Sequence, residues 1–378
     1  MRLSIAKVAF FLLVAGCAGD PSARPSPAPS PEASTLEGGT DADMGADGGS
    51  EAGVPTFGTA VAVASNQDAP GSIAVDATTL YWTSAGPLSG TPAVRRAGSV
   101  AKAPLGGGAP TMLATGQVSP FAIKVDAANA YWATEGDPAN LAVGAAAGGA
   151  IAKVPLGGGD VVTLASEQRP GALAIDTTNV YWTNQESMGT DPTADSTDGA
   201  VMKASLAGGT PVALATGQNW PRGIVTDGTR VYWTNMGVGG KADGAVLAVP
   251  IAGGDVTVLA SNRDSPFDLA VVGDFVYWVD GGQGTAAHPA AFLKMPKTGG
   301  TPVVLGSATS PVMLAAGSTA LYWTDYALTS NNVFAVALGG GATVTLPSGS
   351  DRALDLAVSL TSLYWSTSGG SVMSLPIR

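Results

Sequence analysis

Four arginines fall in or beside a short polar segment that recurs along the chain, and arginine at such a position suggests anion binding. The segments read SNQDAP, TGQVSP, SEQRP, TGQNWP, SNRDSP, SATSP and SGSDRA. A guanidinium fork matches the oxygens of a carboxylate or phosphate, and a tryptophan face suits a sugar or an apolar side chain. The candidate ligand-binding residues are Gln168, Arg169, Trp220, Arg222, Arg263, Asp264, Asp351 and Arg352.

These residue types allow more than one interpretation. The first is an anionic or glycan ligand held by the arginines. The second is that the arginines bond loop carbonyls and the nearby Asp264 and Asp351, and so stabilise the loops themselves. Carboxylate chemistry also stays open, because Glu167 lies in one of the same segments and a pair of carboxylates is the usual pattern for glycoside hydrolysis.

Other candidate sites are less specific. Residues 191–199, DPTADSTDG, space three Asp in a loop, which suggests either calcium binding or a solvated acidic loop. The segment lacks the alternating ligand spacing of an EF-hand, so the solvated loop is predicted. His288, the single histidine, stands among small residues with no partner to orient it as a general base. The glycine triplets at 106–108 and 157–159 lack the helix and lysine of a phosphate-binding loop, so they predict hairpin turns. The sequence therefore predicts no metal ion and no cofactor.

The N-terminus predicts a lipid anchor. Residues 1–17, MRLSIAKVAFFLLVAGC, hold a basic start and an apolar run too short to span a bilayer. The segment Val14–Cys17 resembles a bacterial lipobox, which implies cleavage after Gly16 and a diacylglycerol on the thiol of Cys17; an ordinary signal peptide is the alternative. Ala18 replaces the Asp that retains such proteins at the inner membrane, so the resemblance implies the outer membrane, facing the periplasm or the cell surface.

Composition divides the rest of the chain into a tether and one folded domain. Residues 17–55 comprise the lipidated Cys17 and a Pro/Ser-rich and then Gly/Asp-rich stretch that is too poor in apolar residues to fold. Residues 56–378 are predicted to form the domain, and the signal peptide is residues 1–16. The net charge of −11 argues against nucleic acid as a partner, and a monomer is expected.

From residue 54 onward one unit recurs and predicts an all-β repeat architecture. A Tyr-Trp pair occurs seven times, with Trp spacings of 50, 50, 51, 45, 45 and 42 residues. Each unit holds four short apolar segments bounded by turn residues, and four strands in about 40–50 residues is the size of a propeller blade. The last unit lacks its fourth segment, which residues 58–65, GTAVAVAS, can supply. The sequence predicts a seven-bladed β-propeller of four-stranded antiparallel blades, closed by this N-terminal strand.

The propeller explains why two large aromatics stand side by side. Neighbouring residues of a strand point to opposite faces, and a blade packed between two others is dry on both faces. The tyrosine is therefore predicted to pack into one seam and the tryptophan into the other. Lysines recur in register in the third strands and are predicted to be scaffold residues whose ammonium groups reach water; they are Lys102, Lys153, Lys203 and Lys294.

The word YWT, preceded by segments such as IAVD, resembles the YWTD propeller repeat of the low-density lipoprotein receptor family. The resemblance implies an extracellular, non-catalytic scaffold that binds proteins on one face. The chain departs from that family in its seven units, where six are usual. The final Asp of the motif is present only at Asp280 and Asp325. No binding residue is therefore transferred.

The loops predict which face is functional. Connections between second and third strands are long and varied, whereas those between first and second strands are short turns. We expect a lipid-anchored envelope module that presents the loop-rich face to a protein, peptide or glycan. The alternatives are a lyase or glycoside hydrolase at the mouth of the central channel, and a purely structural envelope protein.

Overall fold

A computed structural model describes residues 53–86, 97–135, 148–185, 198–238, 241–282, 289–325, 332–349 and 351–378. In these ranges the chain forms seven four-stranded antiparallel sheets. Six are built from strands that follow one another in sequence, and the seventh joins the last three strands of the chain to the first. The first strands of neighbouring sheets contact each other around a common centre. The predicted seven-bladed β-propeller is confirmed. The described part of the chain contains no helix with the length and hydropathy needed to cross a bilayer.

The strands coincide with the β-branched and aromatic segments of the repeat, and glycine and proline stand at their ends. In blades 1 to 3 they are β2 (Pro70–Val75), β3 (Thr79–Ser84), β4 (Gly98–Pro104), β5 (Thr111–Gln117), β6 (Pro120–Val125), β7 (Asn129–Thr134), β8 (Gly149–Pro155), β9 (Val162–Gln168), β10 (Pro170–Ile175), β11 (Asn179–Asn184), β12 (Gly199–Ser205) and β13 (Val212–Gln218). In blades 4 and 5 they are β14 (Pro221–Thr226), β15 (Arg230–Asn235), β16 (Gly244–Pro250), β17 (Thr257–Arg263), β18 (Pro266–Val272), β19 (Phe275–Asp280), β20 (Ala291–Pro296) and β21 (Val303–Ser307). In blades 6 and 7 they are β22 (Pro311–Ala316), β23 (Ala320–Asp325), β24 (Val333–Ala337), β25 (Val344–Leu346), β26 (Ala353–Val358), β27 (Ser362–Thr367), β28 (Val372–Pro376) and β1 (Val61–Ala64).

The ring closes where β1 joins the C-terminal blade. The sheet order of blade 7 is β1-β28-β27-β26, and β1 runs antiparallel to β28 with Val61 opposite Ser374. This pairing confirms that residues 58–65 supply the fourth strand of the last blade, although the strand itself covers only Val61–Ala64. Closure leaves each blade packed between two others, which removes two free faces from the ring.

Each seam between neighbouring blades holds the tyrosine of one blade and the tryptophan of the next. Tyr81 of blade 1 and Trp132 of blade 2 belong to one buried cluster. The other six seams repeat this pairing, and the last joins Tyr364 to Trp82. A ring of this size buries roughly 150–250 Å², which stabilises the fold by up to about 4–6 kcal/mol. The predicted separation of the paired rings into two dry seams is confirmed.

The threonine of the repeated word fastens the seam near the centre of the ring. In blade 3 the Thr183 hydroxyl accepts the N–H of Ala172 in its own first strand at 3.0 Å and donates to the carbonyl of Arg222 in blade 4 at 2.9 Å. Thr234 donates in the same way to the carbonyl of Phe267 at 2.8 Å. The hydroxyl thus joins two first strands, which is a reason for threonine that the sequence alone did not supply.

The third-strand lysines brace the seams. Lys102 Nζ donates to the carbonyl of Leu156 in the next blade at 2.6 Å, and Lys203 Nζ to that of Ile251 at 2.8 Å. The remaining two lysines make the same contact. Each ammonium group satisfies a turn carbonyl across the seam, a partner that the sequence analysis did not predict. Their role in the scaffold is supported.

Aspartates at the ends of four first strands hold the tyrosine hydroxyls. In blade 1 the Tyr81 hydroxyl donates to Asp76 Oδ2 at 2.7 Å, while Asp76 Oδ1 accepts the N–H groups of Thr78 and Thr79, each at 2.8 Å. Blades 2 to 4 repeat the arrangement. Burial opposes ionisation of Asp76, but these hydrogen bonds outweigh it and keep the pKa of the carboxyl below its usual value. Burial and the neighbouring carboxylate raise the pKa of Tyr81 to about 12.

Tyr181→Phe tests this contact in blade 3. The Tyr181 hydroxyl donates to Asp176 Oδ2 at 2.6 Å, so the variant is expected to lose about 1–2 kcal/mol of unfolding free energy at pH 7. Because the pKa of Asp176 is lowered from 3.8 in the folded state, its contribution is complete above that value and is lost as the pH falls below it. Denaturant titration at pH 7 and pH 3 should therefore show a smaller deficit at pH 3.

Tyr322→Phe is the matched control. Tyr322 is also buried, but the turn of blade 6 has Gly317 where the other blade has Asp176. The control is expected to lose clearly less stability at pH 7. Equal losses in the two variants would show that the aspartate contact contributes nothing.

Candidate ligand-binding face

The two ends of the propeller differ in which strand connections they carry. We call the end that carries the connections from second to third strands and from each blade to the next the mouth face. The opposite end carries the connections from first to second and from third to fourth strands, and we call it the turn face. All eight predicted ligand-binding residues lie at or near the mouth face, because they stand where fourth strands end and first strands begin.

Trp220 and Arg222 lie together at the start of blade 4. Trp220 is only 5% exposed and Arg222 only 7%. The Arg222 guanidinium carbon lies 5.8 Å from the centroid of the Trp220 ring and 5.6 Å from that of Phe267 in blade 5. This cation–π contact is desolvated and binds blade 4 to blade 5. The geometry favours a structural role for both side chains, since neither presents a face to solvent.

Arg263 is held by a carboxylate across the seam between blades 4 and 5. Its Nε donates to Asp280 Oδ2 at 2.9 Å, and Nη2 donates to the same oxygen. The Arg263 side chain is 23% exposed and that of Asp280 only 4%. Trp278 Nε1 donates to the other oxygen, Oδ1, at 2.9 Å. Burial raises the pKa of Asp280, while the hydrogen bonds and charge of Arg263 act against the rise. The partner is thus Asp280, not the Asp264 expected from the sequence.

Gln168 occupies the same seam position as Arg263, two blades earlier. Its Oε1 accepts the side-chain N–H of Asn184 in blade 3 at 2.9 Å, and its Nε2 donates to the carbonyl of Ser166 at 2.8 Å. In the next seam Gln218 Oε1 accepts Nε1 of Trp233 at 3.0 Å. A glutamine at the end of the fourth strand therefore caps a polar side chain of the following blade.

The remaining predicted residues are spread around the ring. Arg169 stands between blades 2 and 3, and its backbone N–H donates to Asn184 Oδ1 at 3.0 Å. Asp264 lies in the loop before blade 5, where its carbonyl accepts the N–H of Gly282 at 3.1 Å. Asp351 is exposed and Arg352 partly buried at blade 7. The structure therefore gathers Trp220, Arg222, Arg263 and Asp264 around blades 4 and 5 and leaves the others apart.

Carboxylates on the first strands were missed by the sequence analysis. Asp355 Oδ2 accepts the Ser72 hydroxyl at 2.6 Å and the N–H of Ile73 at 3.0 Å, both in blade 1. Asp268 Oδ2 accepts the N–H of Leu314 in blade 6 at 2.9 Å. Burial raises the pKa of Asp268 to about 6. Asp268 and Asp355 are each the third residue of a first strand. This shared position was the signal by which the sequence could have identified them.

Several predicted features lie outside the described residues. They are Cys17, His288, residues 191–197 of the acidic loop and most of the long connections of the mouth face. The Glu167 side chain is also outside them. Among the residues that the structure does describe, no group of three or more His, Cys, Asp or Glu side chains is placed to hold a metal ion.

Comparison with solved structures shows the same fold. The chain is similar to selenomethionine-substituted virginiamycin B lyase from Staphylococcus aureus, with a TM-score of 0.61, 13% identity, and coverage of 85% of this chain and 100% of that one. It is similar to the WD40 β-propeller domain of Doa1, with a TM-score of 0.57, 13% identity and coverage of 85% and 96%. The nidogen/laminin complex gives a TM-score of 0.47, 20% identity and coverage of 65% and 88%. No protein-family model and no curated protein matches the chain.

Proposed function

We propose that this chain is a lipid-anchored binding module of the bacterial outer membrane. Its mouth face would bind a protein, peptide or glycan, in the manner of the YWTD-type propellers that its repeats resemble. The observation that carries the proposal is the asymmetry of the two faces. In blades 1 to 3 the mouth face carries the connections 85–97, 135–148 and 185–198, whereas the turn face has 76–78, 126–128 and 176–178. Binding residues concentrate on long loops over a rigid scaffold.

The path of the N-terminal segment fits this orientation. Phe57 pairs with Ile377, and the N–H of Ile377 donates to the carbonyl of Thr361 in a turn of blade 7 at 2.8 Å. The chain therefore joins the propeller at the turn face. A tether from a lipid on Cys17 would reach the domain at that face and leave the mouth face free.

An enzyme remains the second candidate. The fold of the chain is shared with a protein named as a lyase and with a WD40 propeller domain, and one propeller fold can host either an enzyme or a binding module, so the fold alone does not separate the two functions. The observation that favours an enzyme is Asp268, a carboxyl near the centre of the ring whose pKa burial raises to about 6. Raised pKa values concentrate at functional sites. Both oxygens of this carboxyl, however, accept backbone N–H groups.

The test uses the full chain in a bacterial host that processes lipoproteins. Cys17→Ser is expected to abolish incorporation of an alkyne-labelled fatty acid and to release the protein from the membrane fraction. For binding, photo-crosslinking in intact envelopes would compare the wild type with a variant in which residues 136–147 and 186–197 are replaced by Gly-Asn-Gly. The matched control carries Asp160→Ser and Asp255→Ser on the turn face, where both side chains are exposed.

The expected result is a crosslinked partner that the wild type and the control share and the loop variant lacks. Crosslinks that survive loop replacement would place binding elsewhere and contradict the proposal. Cleavage of an envelope glycan by the purified chain, with no crosslinked partner, would support the enzyme instead.

A further inference from the structure

A pocket on the turn face lies apart from the proposed binding face. It is a shallow, open pocket with a volume of about 330 Å³, lined by the first-to-second turns of blades 1, 6 and 7. Its lining includes Asp76 of blade 1, Gly317 of blade 6, and Val358 and Leu360 of blade 7. A cavity of this volume accommodates one or two side chains of a ligand.

The pocket lies where the repeat loses its seam lysines. The residues opposite the tyrosines of blades 6 and 7 are Ala335 and Ser374, whereas Lys102 stands opposite Tyr81 in blade 1. Gly317 lines the pocket without adding a side chain to it. The two seams of this sector therefore lack the lysine that braces four of the others. The seam between blades 4 and 5 lacks it as well, with Ala248 opposite Tyr232, but there Lys297 pairs with Asp227.

Leu360 is exposed to an extent that the fold does not explain. It is 90% exposed, the highest value among the large exposed hydrophobic side chains of the described residues. The same position in five other first-to-second turns holds a small or polar residue, namely Ala77, Ala127, Thr177, Gly228 and Ser318. A turn needs no leucine at its tip, so an apolar contact from outside is the simplest physical use for it.

Asp76 supplies a negative charge beside this apolar group. The structure holds an internal precedent for a cation at such an aspartate: Asp227 Oδ2 accepts the Tyr232 hydroxyl at 2.9 Å and also pairs with Lys297 Nζ at 2.8 Å. A carboxylate that already holds a tyrosine therefore retains capacity for an ammonium group. Within the part of the chain that the structure describes, no lysine or arginine is paired with Asp76.

We propose that this pocket binds a peptide segment in which a lysine or arginine side chain lies next to an apolar one. The cation would pair with Asp76, and the apolar group would cover Leu360 and Val358. The net charge of −11 further attracts a cationic partner. The site is distinct from the mouth face, so its test is independent of the function proposed there.

The test titrates the full chain with acetyl-Leu-Lys-amide and follows the probe by ligand-observed NMR. The neutral comparison is the same dipeptide with its lysine acetylated. The charged probe is expected to bind up to about fivefold more tightly than the neutral one, which is the usual upper limit for one partly exposed ion pair. Asp76→Asn and Leu360→Ser are each expected to weaken binding of the charged probe by a similar factor.

Asp176→Asn is the matched control, because Asp176 makes the same turn and tyrosine contacts in blade 3 but does not line the pocket. It should reproduce any loss of stability caused by Asp76→Asn while leaving probe binding intact. The proposal is overturned by equal binding of the two probes, by equal effects of the two Asp variants, or by no detectable binding of the charged probe.

Discussion

Arg263→Gln is expected to lower the free energy of unfolding by about 2–3 kcal/mol at pH 8, and Asp280→Asn added to it is expected to recover most of that loss. The single change removes the partner of a carboxylate whose side chain is only 4% exposed. Asp280 is then left buried with its charge uncompensated, apart from the N–H of Trp278. The partial exposure of Arg263 keeps the expected loss below that of a fully buried pair.

The recovery in the double variant follows from the repeat. In the preceding seam, between blades 3 and 4, Gln218 stands where Arg263 stands and Asn235 where Asp280 stands. There Gln218 Oε1 accepts both the side-chain N–H of Asn235 at 3.1 Å and Nε1 of Trp233 at 3.0 Å. Arg263→Gln with Asp280→Asn recreates that side-chain set, so every polar group in the seam again has a candidate partner.

The pH dependence gives a second readout of the same pair. Burial raises the pKa of Asp280, and Arg263 restrains the rise, so removing the arginine raises that pKa further. When the pKa of a carboxyl is higher in the folded state than in the unfolded state, the free energy of unfolding falls as the pH rises from 3.8 through the folded pKa. The deficit of Arg263→Gln should therefore be larger at pH 8 than at pH 5.

These expectations are tested by a double-mutant cycle. Denaturant unfolding is measured for the wild type, both single variants and the double variant. A double variant that is no more stable than Arg263→Gln would show that the two seams are not interchangeable. If instead Arg263→Gln leaves stability unchanged but abolishes a crosslink at the mouth face, Arg263 is a ligand-binding residue, as the first interpretation of the sequence held.

The fold was predictable because its signals are periodic and local. The Tyr-Trp pair marks seven second strands, and residues at neighbouring positions of a strand must face opposite seams. The ring closure was predictable too, since the last unit lacked one strand and residues 58–65 matched it. Each of these inferences needs only the sequence period and the geometry of a strand.

The roles of the mouth residues were not predictable in the same way, because their partners lie across a seam. Arginine in a loop is compatible with a ligand or with a neighbouring carboxylate, and only the packing of blade 4 on blade 5 shows that Asp280 faces Arg263. One signal was available. Gln67 and Gln117 each cap a tryptophan that lies 15 residues ahead. Arg263 and Trp278 have that spacing as well, which identifies Arg263 as a variant of the glutamine position.

The second large effect is expected from Gly149→Ala, which should destabilise the propeller by about 2–3 kcal/mol. Gly149 begins the third strand of blade 2, and three other blades begin it with Gly98, Gly199 and Gly244. A Cβ at Gly149 would lie 2.6 Å from the carbonyl oxygens of both Gln168 and Thr134. These atoms are backbone at the mouth ends of two strands, so no side-chain rotation can relieve the contact.

Gly157→Ala in the same blade is the matched control. It lies in the turn after β8, a Cβ there would have no neighbouring atom within 4 Å, and its φ is not in the left-handed region. It should leave stability unchanged or raise it by up to about 1 kcal/mol, through the smaller entropy of the unfolded chain. Denaturant unfolding of both variants separates a steric cost from a general loss of glycine. A Gly149→Ala variant as stable as Gly157→Ala would mean that the strands can separate at the mouth without penalty, and the mouth face could not then be a rigid support for its loops.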